Sequence, residues 1–578
     1  MRILSKISLL VAVAAAATAA HTANVTPVRA PHAMVASGHE RASQAGVEVM
    51  QQGGNAVDAA VAMGFALAVV LPEAGNLGGG GFMLLRLADG RARFLDFREK
   101  APAAATRDMY LDSKGNVLQD ASVVGYRAIG VPGSVAGLAY AEKKFGKLTL
   151  AQVMTPAIRL ARQGFILSAR DARQLHDFSL AAFPESHRIF QRDGNYYQPG
   201  DTFKQPELAR TLERIAAEPD SFYHDALAQE LAASIQKGGG LITEKDLAAY
   251  EVKEREPVRG SYRGYEIIAA PPPSSGGIAL IELLNILEGY DLAKLGSGSP
   301  ESVHLMAEAF RRAFFDRAEL LGDPDFASVP VAALMDKHYA AAWRESLDPR
   351  RATHSADLRR PVQVFDKLDR MARAAEPDHT THYSVVDSAG NAVAVTTTLN
   401  DLFGSRVTAE GLGFLLNDEM DDFTSKPGTP NMFGLLQGEA NAIASGKRPL
   451  SAMAPTMVLK DGRLFMVLGS RSGPRIITAV AEVLVSVIDY GMNIQQAVNV
   501  PRYHHQWMPD VLRVEKDGFS PATGNRLAAM GHKIEEGYLE RGKWHGHWGD
   551  VECVAVDPKT GERLGASDGR YEGKAVGY

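Results

Sequence analysis

The residues best suited to chemistry lie in one stretch, Thr380-Thr381-His382-Tyr383-Ser384-Val385-Val386-Asp387-Ser388-Ala389-Gly390-Asn391-Ala392-Val393-Ala394-Val395-Thr396-Thr397-Thr398-Leu399-Asn400. Two runs of β-formers flank a turn-forming cluster at residues 387–391, the pattern of a hairpin. A turn centred on Ala389 sets Thr380 opposite Thr398, with cross-strand side chains about 5 Å apart. One threonine hydroxyl at the start of a strand then meets another on its neighbour. A threonine hydroxyl is a poor nucleophile until a base takes its proton. Were the peptide bond before Thr380 cut, its freed α-amine would be that base, and Thr398 would orient the nucleophilic oxygen. Threonines also simply favour strands, so the hairpin on its own leaves both readings open.

Mixed helix and strand signals surround the hairpin. Residues 33–36 read as a short apolar strand, and 42–52 as a helix that stops at Gly53-Gly54. Asn55 with Asp58 marks a helix start, and residues 56–70, almost wholly small and apolar, read as a buried helix. Gly75-Asn76-Leu77-Gly78-Gly79-Gly80-Gly81 follows, then strands at 82–87 and 93–97. The middle, from about 130 to 350, reads as helix-rich, and the stiff turn Pro271-Pro272-Pro273-Ser274-Ser275-Gly276-Gly277 opens a helix at 278–287. Residues 350–379 are charged, lack long apolar periodicity and include Pro361 and Pro377, so they read as a surface linker. After residue 380 the pattern turns to hairpins and buried strands.

Composition narrows the possibilities. With 578 residues, 46% hydrophobic and 22% charged, the chain can fill a large core. A net charge of -6 without a Lys/Arg block gives no footing for nucleic acid. Arg2 and Lys6, the apolar run at 7–17 and the small residues after it read as an export signal over residues 1–23. That run is short for a span of about 20 residues, so the expectation is export to the periplasm with no stable membrane anchor. Cys553 is the only cysteine, which excludes an internal disulfide; within Val551-Glu552-Cys553-Val554-Ala555-Val556 it reads as a buried strand residue. The glycine run lacks the Lys-Ser/Thr of a phosphate cradle and reads as close backbone packing beneath a site. His504-His505 and Trp544-His545-Gly546-His547-Trp548 offer no third metal ligand at a telling spacing.

The run Thr380 to Val386 with Thr398-Leu399-Asn400 resembles the start of the small subunit of γ-glutamyltransferases, N-terminal-nucleophile hydrolases made by self-cleavage of one precursor. Gly53-Gly54-Asn55-Ala56-Val57-Asp58-Ala59-Ala60, Gly75 to Phe82, Asp96-Phe97-Arg98-Glu99, Pro271 to Gly277, Met420-Asp421-Asp422-Phe423 and Gly565-Ala566-Ser567-Asp568 are similar to further family motifs, in order along the exported chain. The resemblance implies a mixed α/β (α+β) fold, a four-layer αββα sandwich shared by a large subunit, 24–379, and a small subunit, 380–578, that form a heterodimer. It implies γ-glutamyl transfer from glutathione and other γ-glutamyl compounds to water, amino acids or dipeptides, with no cofactor. Thr380 would be the nucleophile and Thr398 its activator. Arg98 and Ser451 would bind the α-carboxylate of the donor, and Asn400, Glu419 and Asp422 its α-ammonium. Backbone N–H groups of Ser472 and Gly473 would stabilise the oxyanion.

Three positions depart from the family pattern. Ser451-Ala452 stands where two serines are usual, Ser472-Gly473 where two glycines are usual, and Phe433 where the lid of bacterial relatives often has tyrosine. Two rival readings are a related acylase that removes glutaryl-type side chains from β-lactams, and a secreted non-catalytic paralogue that binds small amino compounds. The acidic Asp421-Asp422 pair favours a substrate bearing a free amine over a glutaryl group, and the intact Thr380 and Thr398 favour catalysis.

Overall fold

The computed structural model describes residues 25–361, 380–432, 434–537 and 548–578. The segment read as an export signal, His379, Phe433 and the histidines at 545 and 547 lie outside the described residues.

Two seven-stranded sheets dominate. In the first, strands run in the order Lys574–Gly577, Met34–Ser37, Thr381–Val386, Ala392–Thr398, Gly80–Arg86, Ala92–Phe97 and Lys253–Arg255. In the second the order is Val28–Ala30, Arg563–Ala566, Glu552–Val556, Arg463–Gly469, Thr456–Lys460, Tyr265–Ala269 and Val258–Tyr262. Both sheets thus interleave strands from before and after Thr380, and neither side could close its own core.

Strand alternation sets the layers. Tyr383, Val385, Val393 and Val395 face outward onto the helices Glu40–Gln51 and Ala56–Val70. Val386, Ala392 and Ala394, with Phe82 and Phe94, face the second sheet, whose outer side is covered by Gly276–Leu287, Pro300–Leu320 and Arg475–Ile488. The result is the expected αββα sandwich. Between the sheets His382 hydrogen-bonds Thr396 Oγ1 at 2.9 Å and Ser384 Oγ at 3.1 Å. Burial pulls its pKa down to about 3, so it is neutral.

Local signals explain the nearer elements. Asn55 and Asp58 form a reciprocal capping box, and every residue of Ala56–Val70 is buried, as an apolar helix without a polar face must be. Two expectations fail. Residues 350–361 are no free linker: Ser355 is buried, Thr353 Oγ1 donates to Glu308 at 2.6 Å and Arg360 pairs with Asp316 and Glu319. Arg360 finds its partners on the long helix Pro300–Leu320, while Arg350, Arg351, Asp357 and Arg359 are exposed as a surface segment requires; the rest of that stretch lies outside the described residues. Nor is the chain beyond Thr380 purely β, because Arg475–Ile488 is a 14-residue helix. No described helix is long and apolar enough to cross a membrane.

Candidate active site

The hairpin takes the register its turn dictates: Thr381 pairs with Thr397, and the ladder runs to Val386 and Ala392. One step further, Thr380 Oγ1 donates to Thr398 Oγ1 at 3.4 Å. Thr398 Oγ1 also accepts the Asn400 N–H at 2.8 Å. The main chain of Thr398 is fixed from behind. Asn76 Nδ2 donates to its carbonyl at 2.8 Å, while Asn76 Oδ1 accepts the Gly79 N–H at 2.9 Å. A Cβ on Gly79 would stand 2.0 Å from that carbonyl, so only glycine fits. The glycine run is therefore backbone packing under the threonine pair. Asn76, quoted above only as part of a motif, is the residue that clamps it.

Thr380 and Thr398 open into a pocket also lined by Arg98, Asn400, Glu419, Asp422, Ser451 and Gly473. Residues more than 300 positions apart in sequence thus meet, as the motifs required. Ser472 precedes the pocket residue Gly473. It is fully buried at φ 101°, a backbone region strained for a side-chain-bearing residue. Arg317, Leu435 and Ala452 also border the pocket. Arg317 was missed because nothing local marks it within its helix; its Nε donates to Ser275 Oγ at 2.8 Å, and that hydroxyl donates to the Ser451 carbonyl at 2.6 Å. Ser451 Oγ accepts the Met453 N–H at 3.1 Å and keeps its own proton for a ligand. Asn400, at φ 80°, occupies the left-handed region that asparagine tolerates, and its Nδ2 donates to the Asp418 carbonyl at 3.1 Å.

The charge pattern is unusual. Arg98 is only 1% exposed and is ringed by acids: Asp422 contacts Nη2, Glu419 lies 2.5 Å and Glu99 3.5 Å from Nη1. Burial works against the guanidinium charge, yet Glu419, Asp422 and Glu99 together raise its pKa above the ordinary value. Burial pushes Glu99 up to about 7 and Glu419 well above the carboxylate range, in each case with Arg98 opposing. Asp422 is raised less, because Arg98 and then Arg317 hold it down. Burial is what raises Asp422, and Arg98, which opposes it, is in contact with it through Nη2.

Cys553, 0% exposed on its strand, has its thiol pushed up by burial and takes no part. His504 and His505 are buried too, bonded to Gln506 Oε1 at 2.9 Å and Asp510 Oδ1 at 3.3 Å.

A threonine hydroxyl at the head of a central strand of an αββα sandwich, opening on a pocket that holds charged side chains, is the mark of the N-terminal-nucleophile class of hydrolases. Within that class, the chain belongs to the gamma-glutamyltranspeptidase family, whose model matches residues 42–578. It is 51% identical over 535 residues to a glutathione hydrolase proenzyme of Pseudomonas sp. (strain A14), across 92% of this chain and 91% of that one. A glutathione hydrolase proenzyme of Escherichia coli (strain K12) is 49% identical over 548 residues, 94% of this chain and 91% of that one. Among solved structures, the cephalosporin acylase from Bacillus halodurans superposes with a TM-score of 0.82 at 26% identity, covering 96% of this chain and 98% of that chain.

Proposed function

We propose that this chain is a γ-glutamyltransferase and glutathione hydrolase that cleaves itself between His379 and Thr380. The mature enzyme is then a heterodimer of residues 24–379 and 380–578, exported to the periplasm after removal of residues 1–23. The observation that carries the reading is the Thr380–Thr398 hydroxyl pair opening on a pocket where Arg98 and Asp422 are held against each other. An α-amino-acid head carries both charges. Entering the pocket, it replaces one internal ion pair with two, its carboxylate on Arg98 with help from Ser451, its ammonium on Asp422 with Glu419 and Asn400 alongside. A glutaryl group has no ammonium for Asp422. Two relatives named glutathione hydrolase proenzymes, at 51% and 49% identity, stand above the acylase ACY 1 proenzyme of Pseudomonas sp. (strain SE83) at 39% and the cephalosporin acylase at 26%.

The chemistry follows from the positions. The freed α-amine of Thr380 takes the hydroxyl proton as Oγ1 attacks the γ-glutamyl carbonyl carbon, with Thr398 orienting the oxygen. Backbone N–H groups at Ser472 and Gly473 carry the oxyanion. Collapse breaks the C–N bond, the ammonium returns its proton to the leaving amine, cysteinylglycine in the case of glutathione, and a γ-glutamyl ester remains on Thr380. Water or the amine of an amino acid or dipeptide then attacks the ester by the reverse proton path.

The test is a denaturing gel with N-terminal sequencing of the smaller chain, then release of 4-nitroaniline from γ-glutamyl- and glutaryl-4-nitroanilide. Two chains, the smaller beginning at Thr380, with turnover of the γ-glutamyl anilide alone are expected. An active uncut chain, or equal turnover of the two anilides, refutes the reading.

A further inference from the structure

Behind the turn that carries Ser472 and Gly473 lies a buried polar cluster that acyl transfer leaves unused. Gly469 ends its strand opposite Glu552, so the residues just past one strand and just before the other meet. The Asp550 N–H donates to Ser470 Oγ at 3.1 Å, and that hydroxyl donates to the Arg471 carbonyl at 2.8 Å. Asp550 Oδ2 also stands 4.0 Å from Arg471 Nη1. The Arg471 guanidinium is 0% exposed and lies over the Tyr571 ring at 4.9 Å, and among the described residues none of its three nitrogens finds a hydrogen-bond partner. Asp550 Oδ2 and Thr381 Oγ1 both border Gly38: a Cβ built on that glycine would lie 3.1 Å from the first and 3.5 Å from the second.

The balance of charge is informative. Burial pushes Glu552 well above the carboxylate range, with Asp550 adding to the push, so Glu552 holds its proton. Burial raises Asp550 to about 7, with Arg471 opposing, and Asp550 is the acid that stands against the guanidinium. The buried arginine is held in place by that acid and by its ring contact. Thr381 Oγ1, Asp550 Oδ1 and Glu552 Oε2 are buried without partners as well, a set that enclosed water would satisfy.

We propose that Asp550 is a positioning residue for acyl transfer: it is the charge partner of Arg471 at the root of the turn and shares the space around Gly38 with Thr381, the nucleophile's neighbour, keeping the backbone donors at Ser472 and Gly473 in register with the Thr380 hydroxyl. This rests on reading that turn as the oxyanion site. A displacement of about 1 Å at such a site costs on the order of 100-fold in rate, and it acts on the transition state rather than on donor binding.

Asp550→Asn keeps the shape and strands the Arg471 charge. On the cleaved, purified heterodimer we expect kcat for γ-glutamyl-4-nitroanilide to fall roughly 10- to 100-fold with KM within about twofold. Arg471→Gln/Asp550→Asn removes both charges and should recover most of that loss, which a merely structural defect would not. A kcat within threefold of wild type, a parallel rise in KM, or a double variant no faster than Asp550→Asn overturns the proposal. Should Asp550→Asn not accumulate as folded heterodimer, Arg471→Gln alone decides, with several-fold lower kcat and unchanged KM expected and wild-type kinetics refuting. A wild type without γ-glutamyl turnover refutes the functional reading itself; an active wild type with an equally fast Asp550→Asn refutes only the role of Asp550.

Discussion

Asp422→Asn isolates the amine-reading half of the site. Asp422 is 8% exposed and in contact with Arg98; burial raises its pKa while Arg98 and Arg317 oppose that rise, and beside a bound ammonium it is the anionic form that gains. Opposite unit charges about 4 Å apart at an effective dielectric near 20 gain about 4 kcal/mol. A discount is due because the donor must first open the Arg98–Asp422 pair. Glu419 offers little replacement, since burial favours its neutral form. The expected loss is therefore about 2–3 kcal/mol, roughly 30- to 150-fold in kcat/KM. The ammonium is remote from the reacting carbonyl and is bound alike before and during attack, so the loss should sit in KM. The assay is initial-rate release of 4-nitroaniline from γ-glutamyl-4-nitroanilide, with the glutaryl anilide as control. Cleavage before Thr380 should persist, because it needs no donor. A change below threefold, or equal losses on the two anilides, would refute the assignment of Asp422 to the ammonium.

Four further outcomes follow from the same geometry. Ala452 borders the pocket beside Ser451; Ala452→Ser should lower the KM for glutathione about fivefold, near 1 kcal/mol, with kcat unchanged in initial-rate kinetics, after discounting a charged hydrogen bond of roughly 1.5–3 kcal/mol for water already present. Ser472→Gly should relieve the positive φ by about 1–2 kcal/mol and raise the thermal midpoint without lowering kcat. Gly79→Ala, which drives a methyl into the Thr398 carbonyl, should cost up to about 3 kcal/mol in urea unfolding and abolish turnover. His382 has a folded pKa near 3 against 6.5 for the free side chain. Its contribution is whole above pH 6.5 and drains as pH falls towards 3, by about 1.4 kcal/mol per pH unit, so His382→Gln should flatten the acid slope of the urea midpoint by about one proton.

What could be read from the sequence divides by range. The nucleophile hairpin was legible because its two threonines are tied by one short turn, and symmetry about that turn fixes who faces whom. The helix Ala56–Val70 announced itself through Asn55, Asp58 and an unbroken apolar run. The helix Arg475–Ile488 did not, because Ile, Val and Thr fill it and those residues read locally as strand; burial against the second sheet overrides their propensity. Residues 350–361 misled for the converse reason, since charge was taken for exposure, while Arg360 is in fact paired with Asp316 and Glu319 on a helix 40 or more positions earlier.

The pocket shows the deeper limit. Family motifs supplied Arg98, Glu419 and Asp422 as separate contacts for a donor, which gives each a role but not a state. Only their placement reveals that the arginine and the acids answer one another until a zwitterion divides them. That mutual engagement keeps the buried Arg98 from standing without an acidic partner, a condition that costs several kcal/mol. It also makes selectivity a matter of exchange: a ligand must return both charges it displaces. On the proposed reading a glutaryl group returns only one, leaving Asp422 buried without a partner, so discrimination would rest on what an incorrect ligand leaves unpaired as much as on what a correct one binds.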